Sequence, residues 1–130
     1  MTDTMPDLKL GQGPMAPTDE LDTLPVATGV EIEYDTSELQ AVCPVTGQPD
    51  IYRCRVLFTS TGRTIETKSL KLYFQTFKNQ GILAEDLAQV LADHIAQAAQ
   101  TLVEVQVVQN VRGGIVTTCT ATGAPEEATQ

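Results

Sequence analysis

The chain has 130 residues, of which 42 % are hydrophobic, 19 % charged and 5 % aromatic. That is one domain's length with a small core, and so few aromatics point to further apolar surface buried between subunits. A net charge of −9 works against general nucleic-acid binding, which depends on Lys and Arg neutralising phosphates, and no apolar run approaches the roughly 18–20 residues of a membrane span.

The charge is uneven. Residues 1–50 hold ten acids and the single base Lys9, whereas residues 51–112 hold seven bases and five acids. A local cationic site for a small phosphorylated ligand is compatible with this distribution, and so is ordinary surface solubilisation. The three cysteines, Cys43, Cys54 and Cys119, show no CxxC spacing. This argues against a disulfide framework or a structural zinc site, and for a reducing compartment. The first residues lack the basic start and apolar stretch of a signal peptide, so a cytoplasmic location is expected.

In chain order, residues 1–28 carry Pro6, Pro14, Pro17 and Pro25 among scattered Gly, Thr and Asp. They show no period of 2 or 3.6 and read as a flexible arm. A single catalytic domain is expected over residues 29–121, with a disordered tail over 122–130. Val30, Ile32 and Tyr34 alternate with Glu31, Glu33 and Asp35, the pattern of a strand with one wet face. Residues 43–50, Cys-Pro-Val-Thr-Gly-Gln-Pro-Asp, form a turn-rich loop. Ile51 to Thr59 alternates again, and Ser60-Thr61-Gly62-Arg63 reads as a turn. Ser69 is a candidate cap for a helix running to Phe77. A second helix starts near Ala84, with Glu85 and Asp86 in its first turn, where the helix dipole favours acids. Leu102–Gln109 and Ile115–Ala121 read as strands joined by a turn over residues 110–114. The order is ββααββ: an α+β fold with two helices across one face of a four-stranded antiparallel sheet. Oligomerisation would cover its open edges.

Several residues have the chemistry for a site, each with a plainer structural alternative. Cys43 lies in a loop, where its thiol is reachable, and Asp50 follows seven residues later as a proton donor or base. The plainer reading is a turn cysteine in a loop ordered by the Asp. Cys54 and Cys119 sit in strand patterns and read as buried. Lys68 and Lys71 stand at a helix entrance, where free N–H groups favour anions. Arg112 precedes two glycines that admit close backbone approach. Together these three cations could hold a phosphate-bearing cofactor; singly, each reads as a solvated charge. The Glu85 carboxylate can accept two parallel N–H bonds from a purine-like edge, or simply serve the helix dipole. His94 lies mid-helix without a partner at metal spacing, and no metal site is expected.

In order and at matching spacing, the runs Cys43-Pro-Val-Thr-Gly-Gln-Pro-Asp50, Glu66-Thr-Lys-Ser-Leu-Lys-Leu-Tyr73, Phe77-Lys-Asn79, Glu85-Asp86 and Arg112-Gly-Gly-Ile115 resemble the QueF nitrile reductases. These are NADPH-dependent 7-cyano-7-deazaguanine reductases of queuosine biosynthesis. The resemblance spans roughly residues 29–118. It implies the tunnelling fold, whose ββααββ subunits form rings with sites between neighbours. It implies Cys43 as the nucleophile that gives a thioimide, Asp50 as the proton donor and Glu85 as the reader of the deazaguanine edge. Lys68, Lys71 and Arg112 would bind NADPH, and Glu66 and Ser69 would shape the substrate pocket.

Two positions depart from the family pattern. Thr67 stands where Ser or Leu is usual, and Ala84 stands where a His usually precedes the recognition Glu. Two other readings compete with the reductase. One is a related enzyme that adds ammonia to the same thioimide to make an amidine; retention of Lys68, Ser69 and Lys71 argues against it. The other is a non-catalytic deazapurine-binding ring protein, against which the retained Cys43–Asp50 pair argues.

Overall fold

The computed structural model describes residues 21–126. Its elements are β1 (Thr23–Val42), β2 (Pro49–Ile65), α1 (Thr67–Gln75), α2 (Ala84–Ala99), β3 (Val103–Arg112) and β4 (Ile115–Gly123). The strands form one antiparallel sheet in the order β1-β2-β3-β4, which is the expected ββααββ arrangement. No described helix is long and apolar enough to cross a membrane.

The sheet's two faces follow from period-2 alternation. Tyr52, Cys54, Val56 and Phe58 of β2 and Val103, Val105 and Val107 of β3 are buried. Leu87, Leu91, Ile95 and the alanines of α2 meet them. Those alanines let helix and sheet approach closely. A Cβ on Gly123 of β4 would stand 2.3 Å from the Ala92 carbonyl oxygen, so glycine is required there. The opposite face is wet. On it Arg53 donates to Asp35 at 3.1 and 2.8 Å, and Arg55 to Glu33 at 2.9 and 3.3 Å. These cross-strand forks hold both carboxyls below their usual range.

The first two strands are longer than the sequence reading expects. β1 begins at Thr23, inside the arm assigned to residues 1–28; residues 1–20 of that arm lie outside the described residues. Pro25 pairs with Arg63 without disrupting the sheet, because β1 is an edge strand and a missing N–H costs little there. Ser60–Arg63, expected as a turn, lies within β2. The chain bends here through bulges in the β1–β2 pairing, with Gly29 and Gly62 at φ +88° and +116°. Buried Ser60 bridges the gap: its hydroxyl donates to Ala27 O at 2.6 Å and accepts from Val30 N at 3.0 Å. β4 ends at Gly123, two residues into the expected tail, of which residues 127–130 lie outside the described set.

Candidate active site at one end of the sheet

Antiparallel pairing brings both hairpin turns to the same end. Val42 pairs with Pro49 at the β1–β2 turn, Tyr52 with Gln109 across β2–β3, and Arg112 with Ile115 at the β3–β4 turn. The last turn has two residues, Gly113 and Gly114, at φ +59° and +82°, the left-handed pair a tight hairpin needs. The start of α2 comes to this end through a single parallel bridge between Val42 and Gly81. In it Val42 N donates to Gln80 O at 2.8 Å and Ile82 N to Val42 O at 3.0 Å. Gly81 lies against Pro44. The cysteine loop with Asp50, Arg112 and the Ala84–Glu85 entrance of α2 are thus gathered from three parts of the sequence.

The loop itself is a closed turn. Cys43 N donates to Gln48 O and Gly47 N to Cys43 O, both at 2.8 Å, with Gly47 at φ +75°. This winds the chain so that Val45 and Thr46 lie beside the Cys43 sulfur. Hydrogen bonds from these residues, led by the Thr46 hydroxyl, together with one from Arg112, lower the Cys43 pKa from the ordinary thiol value to about 7. Hydrogen bonding to the charged form favours that form, so about half the thiol is ionised at neutral pH. The other two cysteines differ. Burial lifts Cys54 to about 12, and burial with the nearby Glu85 charge raises Cys119.

Asp50 is only 3 % exposed. Its carboxylate is ion-paired with Arg112, whose other terminal nitrogen reaches the Thr46 hydroxyl at 3.4 Å. One guanidinium therefore touches the buried acid, the cysteine and the hydroxyl that supports it. Two residues along β2, Tyr52 is buried and its phenol accepts from Gln109 Nε2 at 3.3 Å. Burial and the charges of Asp50, Cys119 and Glu85 push that phenol up to about 12, so it stays neutral. Glu85 is exposed in the first turn of α2.

The remaining predicted residues lie elsewhere. Glu66 caps α1, its carboxylate accepting from Lys68 N at 2.9 Å and Ser69 N at 2.7 Å. The expected cap Ser69 sits inside the helix, wholly buried, donating to Glu66 O at 2.7 Å and accepting from Asp22 N at 3.0 Å. The misassignment came from residue type: Ser is the commoner cap, but Glu66 holds the extended backbone that capping requires. Glu66 and Ser69 satisfy each other in this arrangement. Glu66 also occupies the helix N–H groups that an anion would otherwise use. Lys68 and Lys71, exposed on α1, make no ion pair among the described residues. Lys71 borders a groove of about 490 Å³ between α1 and β1. Arg112 is placed with Cys43 and Asp50, not with these lysines, so the three cations do not form one cluster within the chain.

Sequence reasoning missed Thr46, although its position three residues after Cys43 in a proline–glycine turn was the available signal. It also missed the partner of His94, whose Nδ1 meets the Tyr73 hydroxyl at 2.7 Å and links the two helices. Among the described residues no group of His, Cys, Asp or Glu is placed to hold a metal ion.

Known proteins share both the sequence and the fold of this chain. The solved archaeosine synthase QueF-Like in its apo form superposes with a TM-score of 0.65, covering 78 % of this chain and 99 % of its own, at 19 % identity; at that distance the likeness speaks for the fold. An NADPH-dependent 7-cyano-7-deazaguanine reductase of Frankia casuarinae is 40 % identical over 116 residues, 88 % of this chain and 93 % of the relative. A protein of the same name from Anaeromyxobacter sp. (strain Fw109-5) is 39 % identical over 112 residues, covering 83 % and 92 %. The family model described as QueF-like protein matches residues 49–128, the stretch that runs from the buried Asp50 through both helices to the Arg112 turn and beyond. With that match, and with relatives aligned over nearly their full length, the chain belongs to the QueF family.

Proposed function

We propose that this protein is an NADPH-dependent 7-cyano-7-deazaguanine reductase of queuosine biosynthesis, with Cys43 as its nucleophile. The observation that carries the reading is the setting of Cys43: a thiol drawn down to about 7, beside a buried acid–guanidinium pair, at the end of the sheet where α2 brings Glu85. The names of the relatives supply the substrate and the reductant.

In this mechanism the Cys43 sulfur attacks the nitrile carbon. A C–S bond forms, one C–N π pair moves to nitrogen, and nitrogen takes up the proton the thiol gave up. Asp50 is the group that carries it. The product is a thioimide on Cys43, with atoms and charge balanced. Bound NADPH supplies hydride, two equivalents per nitrile, each matched by one proton, to reach the aminomethyl level. Cys43 must leave again as a thiolate, and the lowered pKa serves that departure as well as the attack, since a stable thiolate is the better leaving group. Glu85 accepts parallel N–H bonds from the deazaguanine edge. Lys68 and Lys71, one helical turn apart, present two ammonium groups to the cofactor phosphates. Because Glu66 already caps the helix, those phosphates depend on the side chains and not on free backbone N–H groups. Arg112 acts at the Cys43–Asp50 end. Assembly into a ring would bring the lysines of one subunit to the cysteine of a neighbour.

The test is intact mass and NADPH absorbance after mixing the protein with 7-cyano-7-deazaguanine. A substrate-sized mass gain and two NADPH consumed per aminomethyl product are expected. A mass gain without NADPH consumption would turn the assignment to the amidine-forming reaction or to chemistry halted by Ala84 at the family's histidine position. No mass gain would remove Cys43 as the nucleophile.

A further inference from the structure

Tyr52 is 1 % exposed, and its hydroxyl is only half satisfied. The Gln109 amide nitrogen donates to its oxygen at 3.3 Å, and its hydrogen has no acceptor among the described residues. Water does not reach a group so enclosed, and a buried donor without an acceptor is a standing cost. Tyr52 follows Asp50 by two residues on β2 and so shares its face of the sheet. Gln109 stands opposite it on β3, with Thr117 beyond on β4. Ala84, Leu87 and Ala88 from the first turns of α2 pack in the same core as Tyr52, which puts the phenol beneath the helix entrance that carries Glu85. Gln109 is half-buried, so rotation of that one side chain opens the hydroxyl toward this end.

We propose that Tyr52 is a further binding residue of the site, its hydroxyl donating to the ring oxo group of the substrate beside Glu85. This rests on the proposed deazaguanine substrate and adds the group that recognises a different atom of it. A guanine-like edge presents two N–H donors and, next to them, an oxo oxygen that only accepts. The Glu85 carboxylate can take the two N–H groups and has no hydrogen to offer the oxygen. The Arg112 guanidinium is engaged by Asp50 and Thr46. The Tyr52 phenol stays protonated at neutral pH and gains from the oxo group the acceptor it lacks. A donor of this kind makes the site prefer an oxo group to a poor acceptor at the same position, because the poor acceptor leaves the buried hydroxyl unpaired.

The experiment is calorimetric titration of the Cys43→Ala protein, in which no covalent adduct forms, with 7-cyano-7-deazaguanine and with its 6-thio analogue. The analogue keeps both N–H groups and puts sulfur, a weak acceptor, where the oxygen stood. The oxo compound should bind about tenfold more tightly than the thio compound. With Tyr52→Phe added, the two should bind within about twofold of each other. A tyrosine that only supports the fold would weaken both alike and keep the ratio. A ratio kept in Tyr52→Phe would give the oxo group to another donor, such as the uncapped N–H groups at the start of α2, and would overturn the inference. Equal binding of the two compounds before Tyr52 is changed would do the same. A second measurement needs no ligand. Tyr52→Phe removes a hydroxyl that lacks an acceptor, so its melting temperature should equal or exceed the parent's. A fall of about 5 °C or more would mean that the hydroxyl already has an acceptor within the chain, and that too would overturn the inference. A Cys43→Ala protein that binds neither compound would refute the proposed function itself, whereas a failure at Tyr52 alone leaves that function standing.

Discussion

Two carboxylates are buried among the described residues, Asp50 at one end of the sheet and Glu66 at the entrance of α1, and they are satisfied in opposite ways. Glu66 is held by backbone N–H groups two and three residues ahead. Its partners exist as soon as the helix forms, and nothing else can take their place. Asp50 is held by Arg112, 62 residues away, a side chain 35 % exposed that also contacts the cysteine loop. A carboxylate closed by its own helix is fully committed to structure. One neutralised by a distant, half-exposed cation can exchange that partner for a ligand or a proton. Burial alone does not separate a structural acid from a chemical one; the origin of the partner does.

Variants at the two ends should diverge accordingly. Cys43→Ala should abolish the covalent adduct, seen as the absence of any mass gain with the nitrile, while the fold persists. Arg112→Ala strips a buried acid of its cation and should cost about 3 kcal/mol in urea unfolding, near the low end for a broken buried pair because the arginine is partly exposed. The same variant should raise the pH midpoint of Cys43 alkylation. The rate of adduct formation should follow the thiolate. A lowered thiol pKa means that ionisation grows as pH rises: the rate falls about tenfold per unit below pH 6, rises through about 7, and levels above 8, as read by stopped mixing and mass. Glu66→Ala should cost about 1 kcal/mol, the usual value of a lost cap, and leave the alkylation midpoint where it was. Lys68→Ala and Lys71→Ala should move stability by less than about 0.5 kcal/mol. Each should raise KM for NADPH several-fold with adduct formation unchanged. If Glu66→Ala shifts the midpoint, or Arg112→Ala leaves it alone, the division between the two ends fails.

The alternation of Val30–Asp35 and Ile51–Thr59 identified the two strands, and the Leu87–Ile95 stripe identified α2, because period is a local property. Their limits were less legible. Pro25 and Gly29 read as breakers, but an edge strand tolerates the first and a bulge uses the second. Ser60 read as a turn residue, yet its hydroxyl substitutes for strand pairing lost at the bend. The candidate site residues Cys43, Asp50 and Glu85 stood out in the sequence through chemistry and spacing. The joining of Arg112 to Asp50 was not, since it follows from which turns share an end of the sheet. The cap at Glu66 was hidden by the presence of a better capping residue type at Ser69.

The bridge between Val42 and Gly81 gives the molecule a built-in reporter. It consists of two main-chain bonds, donated by Val42 and Ile82, outside both the sheet ladder and the helices. They form only when the end of β1 and the link between the helices meet, which is also what the proposed function requires of Cys43 and Glu85. The exchange rates of those two amides with deuterated solvent therefore measure how much of the time the site is assembled. They do so with no substrate present, and exchange faster than that of the core strand amides marks opening of this end alone.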